Sequence, residues 1–263
     1  MEAGWWKEDY LDIFLVPLGI LLMLAYHLSL LYRYLKCPQT TIIGYENHNK
    51  RAWVERMYMV EAKDRGPALT VISSNITAAT ALSSICLVLS SIIGAWIGSS
   101  ASNNTSIFTN SLIFGSTSRS MVFIKFISII SCFLVAFACF VQTARYFVHA
   151  NFLISMPTNE VPVTCVVKEV IKGSNYWLTG IRSLFFATNL LLWIFGPIPM
   201  FCCSVIMVAV LVGVDRNTTP LHPYAPVKGS HDLSNKIDRG KNAVSNAFEL
   251  LHHRSHDGSR SNA

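Results

Sequence analysis

Four long apolar stretches punctuate the chain. They run from Leu11 to about Leu35, from Leu69 to Gly98, from Met121 to Val148 and from Ile181 to Val214. A helix needs about 20 mostly apolar residues to cross the hydrocarbon of a bilayer, and each stretch is long enough. No alternation of period two appears, which argues against a β-barrel. The pattern predicts an all-α integral membrane protein, a four-span helical bundle. A short N-terminus (1–10) precedes it, and a polar, largely disordered tail (215–263) follows. The chain opens acidic (Glu2, Glu8, Asp9) and its first apolar run is long. It therefore reads as a retained span and not a cleaved signal peptide.

The fourth stretch is longer than one span needs. Gly196-Pro197-Ile198-Pro199 sits in its middle, and proline removes a backbone donor and crowds the preceding turn. Either the stretch is one kinked helix, which leaves the tail outside, or it is a hairpin, which leaves the tail inside. Each half offers about 15 apolar residues against the roughly 17 of a minimal span, which favours the single kinked span. The tail carries seven Lys and Arg, which argues for the hairpin.

Charge orients the bundle. Segment 36–68 holds Lys36, Lys50, Arg51, Arg56, Lys63 and Arg65, and segment 149–182 holds Lys168, Lys172 and Arg182. The N-terminus has Lys7 and segment 99–120 has Arg119. The positive-inside rule places 36–68 and 149–182 in the cytosol and the N-terminus outside. Overlapping glycosylation acceptor sequons at Asn103 and Asn104 fit an outside loop. Trp5, Trp6, Tyr10 and Trp96 fall at the outer ends, and Tyr32, Tyr34, Tyr146, Tyr176 and Trp177 at the inner ends, as an aromatic belt requires.

Two polar stretches predict interfacial helices on the cytosolic side. Over 45–65, Asn47 or Asn49 can cap, and Trp53, Met57 and Val60 recur at helical spacing among Arg51, Arg56 and Lys63. Gly66-Pro67 ends the helix. Over 161–172, Pro162 opens, and Val163, Val166, Val167 and Val170 share a face. Gly173 closes the helix. Such helices form either a lipid or partner platform or simple packing beneath the bundle.

The chain is 52% apolar and 14% charged, against about 25% charged in soluble domains. A net charge of +6 does not point to nucleic acid, because the basic residues lie between spans and no nucleic-acid motif accompanies them. Of seven cysteines, Cys86, Cys132, Cys139, Cys202 and Cys203 lie in apolar stretches and act as small hydrophobes. No C-x-x-C occurs, so a thiolate metal cage has no support. Cys37, beside Lys36, is a candidate for palmitoylation. His252, His253 and His256 could meet a metal on a helix, but no other strong ligand stands nearby, and a solvated tail is the simpler account. No metal and no cofactor is assigned.

Polar groups within spans invite a functional hypothesis. Gln142, Arg145 and His149 share one face of the third span, Arg182 and Asn189 stand near the inner start of the fourth, and His27 lies in the inner half of the first. They suggest a cytosol-facing cavity. Two arginines without a carboxylate inside the membrane favour an anion, such as a lipid headgroup or a small carboxylate. Alternatively the arginines snorkel and the amides bond neighbouring helices. The second span is thin on one side, and Ser90, Gly94 and Gly98 form a small-xxx-small series. It suits packing within the chain or a homo-oligomer.

Tyr26-His27, Thr40 to Gly44, Arg51-x-Trp53 with Met57, Gln142-x-x-Arg145 behind a phenylalanine-rich run, and Arg182 with Trp193-x-x-Gly196-Pro197 occur in this order. Together they resemble the plant and bacterial membrane proteins of the domain of unknown function 599 family, over about residues 5–215, and plant members most closely. The resemblance implies a multi-span membrane protein and supplies no catalytic residues. No nucleotide loop, protease motif, nucleophile elbow or acid pair gives an enzyme positive support. The expected function is binding of an anionic lipid, a small anion or a partner protein at the cytosolic polar cluster. An oligomeric transporter or channel is one alternative, and a lipid-directed enzyme with His27 or His149 as base is another. The plasma membrane is the default location.

Overall fold

A computed structural model describes residues 5–102, 119–157 and 161–220. Six helices occupy them: α1 (Trp5–Lys36), α2 (Ile42–Met59), α3 (Gly66–Ser102), α4 (Arg119–Ser155), α5 (Val163–Leu192) and α6 (Pro197–Val214). Four are long and apolar enough to cross a membrane, over Asp12–Lys36, Gly66–Ser99, Ser120–Ser155 and Pro197–Val214. The protein is an all-α, multi-pass membrane bundle. Its outward faces carry exposed Phe14, Leu21, Leu28, Ile85, Ile92, Val148 and Ile206, residues that match acyl chains and need no water-excluding partner.

The contacts fix the helix directions. α3 and α4 are antiparallel: Trp96 meets Phe126 edge-on at 5.2 Å at one end, and Arg65, just before α3, reaches the Ile154 carbonyl at the other. α4 and α5 are also antiparallel, with Tyr146 stacked on Tyr176 and Phe140 edge-on to Trp177. A core of Phe126, Ile129, Phe133, Phe140, Ala187, Leu190, Trp193 and Met200 fills the centre. A second core at the α2 end joins Val54, Tyr58, Ile72, Phe147, Ile154, Val166 and Val170.

The fourth apolar stretch is not one kinked helix. Asn189 bonds Ser204, and Arg182 bonds Asp215, so α6 folds back along α5 as a hairpin. Gly196 makes the turn at φ 142°, a backbone region that side-chain-bearing residues avoid. Pro197 then opens α6, where its missing N–H costs nothing. The count of apolar residues misleads because α5 is not confined to the stretch. It begins at Val163, so the predicted helix over 161–172 runs on through Gly173, which packs against Tyr146 and Phe147 instead of capping. α5 passes from Asn175, beside Asn47 of α2, to Trp193, beside Asp12 of α1. Residues 175–193 therefore run alongside α1, with Arg182 the one charged residue among them.

The start of α2 also differs from the sequence reading. Thr41 is the cap, its hydroxyl accepting from the Gly44 N–H at 3.2 Å, and Asn47 is a buried mid-helix residue. The helix stops at Met59. Gly66-Pro67 opens α3 instead of closing α2.

Candidate functional site

Polar side chains converge on the end of the bundle that carries α2. Asp215, at the foot of α6, is their hub and is 4% exposed. Its carboxylate accepts from the Tyr26 hydroxyl of α1 at 2.6 Å and from the Arg182 guanidinium of α5. Its main-chain carbonyl accepts from the Ile42 N–H at 3.0 Å, and Asn217 bonds the carbonyls of Thr40 and Gln39. One acidic residue thus joins α1, α5, α6 and the α1–α2 connection. Arg182 has a carboxylate partner after all, and the sequence hid it at the first position of the tail.

The remaining candidates divide between two places. His27 lies against Phe186 with ring centroids 5.0 Å apart, and its Nδ1 is 2.7 Å from the Met23 carbonyl. Asn189 is buried, and its amide donates to Ser204 Oγ at 2.7 Å. These two and Arg182 lie where α5 meets α1 and α6. Gln142 is half-buried on α4, and Arg145 and His149 are exposed there beside Val141, Val148 and Phe152. Gly180 sits against Phe140 and Gly173 against Tyr146, a register that sets Arg145 about 10 Å nearer the α2 end than Arg182, at 1.5 Å per residue. Among the described residues, these six divide between the two places, and none of them lines the pockets beside α2.

Among the described residues, two pockets open on either side of α2. The first has a volume of about 480 Å³ and is walled by Tyr34, Gln39, Asn47, His48 and Arg51, with Leu35, Pro38 and Ile171. Asn47 Nδ2 donates to Tyr34 Oη at 3.2 Å and to Asn175 Oδ1 at 3.1 Å, while Asn47 Oδ1 is buried without a partner. The second, about 410 Å³, is walled by Glu46, Lys50, Trp53, Asn75, Ser174 and Trp177 over a floor that includes Val71, Ile72 and Phe147. Lys50 and Arg51 are adjacent in sequence and face different pockets. Of the predicted platform residues, Arg51 and Trp53 line pockets and Met57 is half-buried nearby.

Two buried cations, Arg65 and Lys125, lie outside the predicted polar cluster. Arg65, 0% exposed, donates to the carbonyls of Tyr58, Val60, Ile154 and Met156 at 2.7–3.0 Å and lies over the Tyr58 ring. It clamps the end of α2 to the end of α4, and only its place before Gly-Pro hinted at this. At the opposite end Lys125 lies 5.3 Å from the Trp193 ring centroid, and Trp193 Nε1 donates to Asp12 at 3.1 Å. Asp12 and Lys125 are both buried.

On α3, Ser90 is buried and bonds the Cys86 carbonyl. Gly94 and Gly98 are exposed, and a Cβ at either would meet nothing within 4 Å. Cys37 is exposed beside the turn over 38–40. Among the described residues no three His, Cys, Asp or Glu side chains lie close enough to hold a metal ion. Asn103, Asn104 and the tail histidines lie outside the described residues.

No curated protein and no solved structure matches the chain. The family described as "Protein of unknown function, DUF599" matches residues 14–220. That match takes in the α2 pockets, the Asp215 hub and the hairpin, and the chain belongs to this family.

Proposed function

We propose that this multi-pass membrane protein binds an anionic lipid headgroup on its cytosolic face, in the pocket walled by Arg51. The observation that carries the reading is the make-up of that pocket. A guanidinium, an imidazole, a phenol and two amides converge there, and no carboxylate is among the wall residues. Arg suits a phosphate because its planar fork gives paired donors, and basic pockets between membrane helices favour anionic headgroups. The unpartnered Asn47 Oδ1 matches a headgroup that also offers a hydroxyl, as glycerol or inositol does. Arg182, held by Asp215, serves architecture in this reading, and Arg145 snorkels.

The cytosolic assignment rests on charge. The hairpin returns the chain to the α2 end, where Arg216 pairs with Thr41 beside the basic segment 36–68. That side then obeys the positive-inside rule, with α5 as a fifth crossing helix and the N-terminus outside. A glycan on Asn103 or Asn104 agrees with this orientation, and protease access to 36–68 from outside intact cells refutes it.

The binding test is native mass spectrometry of the full chain after exposure to phosphatidylglycerol. Arg51→Ala should lower retention about tenfold, near 1.4 kcal/mol of binding. Equal retention by a stably folded Arg51→Ala protein overturns the site. A second reading, a homo-oligomer through α3, is favoured by the open Gly94 and Gly98 face. Gly94→Leu should then reduce the subunit count in the same spectra.

A further inference from the structure

The second pocket differs from the first in charge, and the difference selects a different ligand. It carries one carboxylate and one ammonium, Glu46 and Lys50, 2.9 Å apart at i, i+4 on α2. Lys50 also donates to Ser174 of α5 at 2.5 Å. Two indoles, Trp53 of α2 and Trp177 of α5, share the wall, both half-buried. The floor is apolar. We propose that this pocket takes phosphocholine, a phosphate joined to a quaternary ammonium, as found in the phosphatidylcholine headgroup.

Aromatic walls are how proteins recognise quaternary ammonium, whose charge is spread over methyl groups and attracted by ring faces. A neighbouring carboxylate completes the match, so Glu46, Trp53 and Trp177 face the choline. Lys50 and the Ser174 hydroxyl face the phosphate. The Glu46–Lys50 pair is no obstacle, because both side chains are more than a third exposed and such pairs are weakly held. A zwitterion laid against the pair satisfies both charges without leaving a net one. An anionic headgroup would bring Glu46 into repulsion, which is why this pocket is not a second copy of the Arg51 site. The apolar floor of Val71, Ile72 and Phe147 accommodates methyl groups and the start of an acyl chain. This inference does not require the Arg51 reading to hold, since the two pockets share no wall residue.

The test uses the full-length protein, stripped of lipid in detergent and offered equal amounts of phosphatidylcholine, phosphatidylethanolamine and phosphatidylglycerol. Bound lipid is read by native mass spectrometry. Retention of phosphatidylcholine above phosphatidylethanolamine by about tenfold is expected, the scale of a lost cation–π cage. Glu46→Gln and Trp53→Leu should each abolish that preference, while Arg51→Ala keeps it. Both altered side chains are partly exposed, so melting temperature near wild type confirms that the fold survives. Soluble phosphocholine separates the sources. If it displaces the lipid, the headgroup alone is the ligand; if the lipid stays with its preference intact, the whole phospholipid is. Equal retention of the three lipids overturns the proposal, and so does a preference that neither pocket variant moves. Loss of the preference in Arg51→Ala would also overturn it, by showing one anion site in place of two distinct pockets.

Discussion

Asp215 offers the sharpest test of how the bundle is held. Asp215→Ala removes the carboxylate that pairs Arg182 and accepts from Tyr26. The Arg182 and Asp215 side chains are 15% and 4% exposed, and Arg182 Nη1 is already buried without a partner, so water cannot readily replace the lost acceptor. Breaking a buried pair from one side costs about 3–5 kcal/mol. Each kcal/mol lowers the melting temperature of a chain of this size by about 2–4 °C. A fall of about 6–20 °C follows, readable by tryptophan fluorescence or light scattering in one fixed detergent. Tyr26→Phe removes one donor to the same carboxylate and should cost about 1.5–3 kcal/mol, the range for a hydrogen bond to a charged group. The double variant Arg182→Leu/Asp215→Ala removes both charges and should be more stable than Asp215→Ala alone. The reasoning fails if Asp215→Ala melts within about 2 °C of wild type, under 1 kcal/mol, or if the double variant melts no higher than Asp215→Ala.

Other expectations follow from single contacts. Gly180→Ala would place its Cβ 2.8 Å from the Phe140 ring, and overpacking of this kind costs about 1–3 kcal/mol. Phe140→Leu in the same chain should recover part of the lost melting temperature. Arg65→Ala, which frees four carbonyls, should reduce the yield of folded protein in size-exclusion profiles. Arg65→Lys should not restore it, because an ammonium lacks the planar fork that spans two helix ends. Trp193→Phe removes the donor to Asp12 and should cost about 1–3 kcal/mol in the same melting assay. For the hairpin, cysteines placed at 61 and 217 should label from the same side of sealed vesicles, and opposite labelling would restore the single kinked span.

The class of the molecule is legible in the order of its residues alone. In lipid the backbone must bond itself, in helices or closed barrels, and apolar runs of this length without period-two alternation choose helices, so α1, α3 and α4 were legible almost to their ends. α2 was legible as a helix, because Trp53 and its neighbours recur at 3.6-residue spacing. Its cap was not, since Asn47, Asn49 and Thr41 are all good capping residues and only the chain's path from α1 chooses Thr41. Tertiary structure decided the hairpin. Gly196-Pro197 allows either a kink or a reversal, and the choice rests on contacts such as Asn189 with Ser204 that lie across the turn. It also decided the meaning of the charges. Arg182, Arg145, Arg51 and Arg65 are alike in a sequence, yet one meets Asp215, one faces outward, one lines a pocket and one clamps four carbonyls. A charge takes its role from what the fold brings within about 3 Å of it, and Asp215 reaches Arg182 from 33 residues away, beyond the reach of any local pattern.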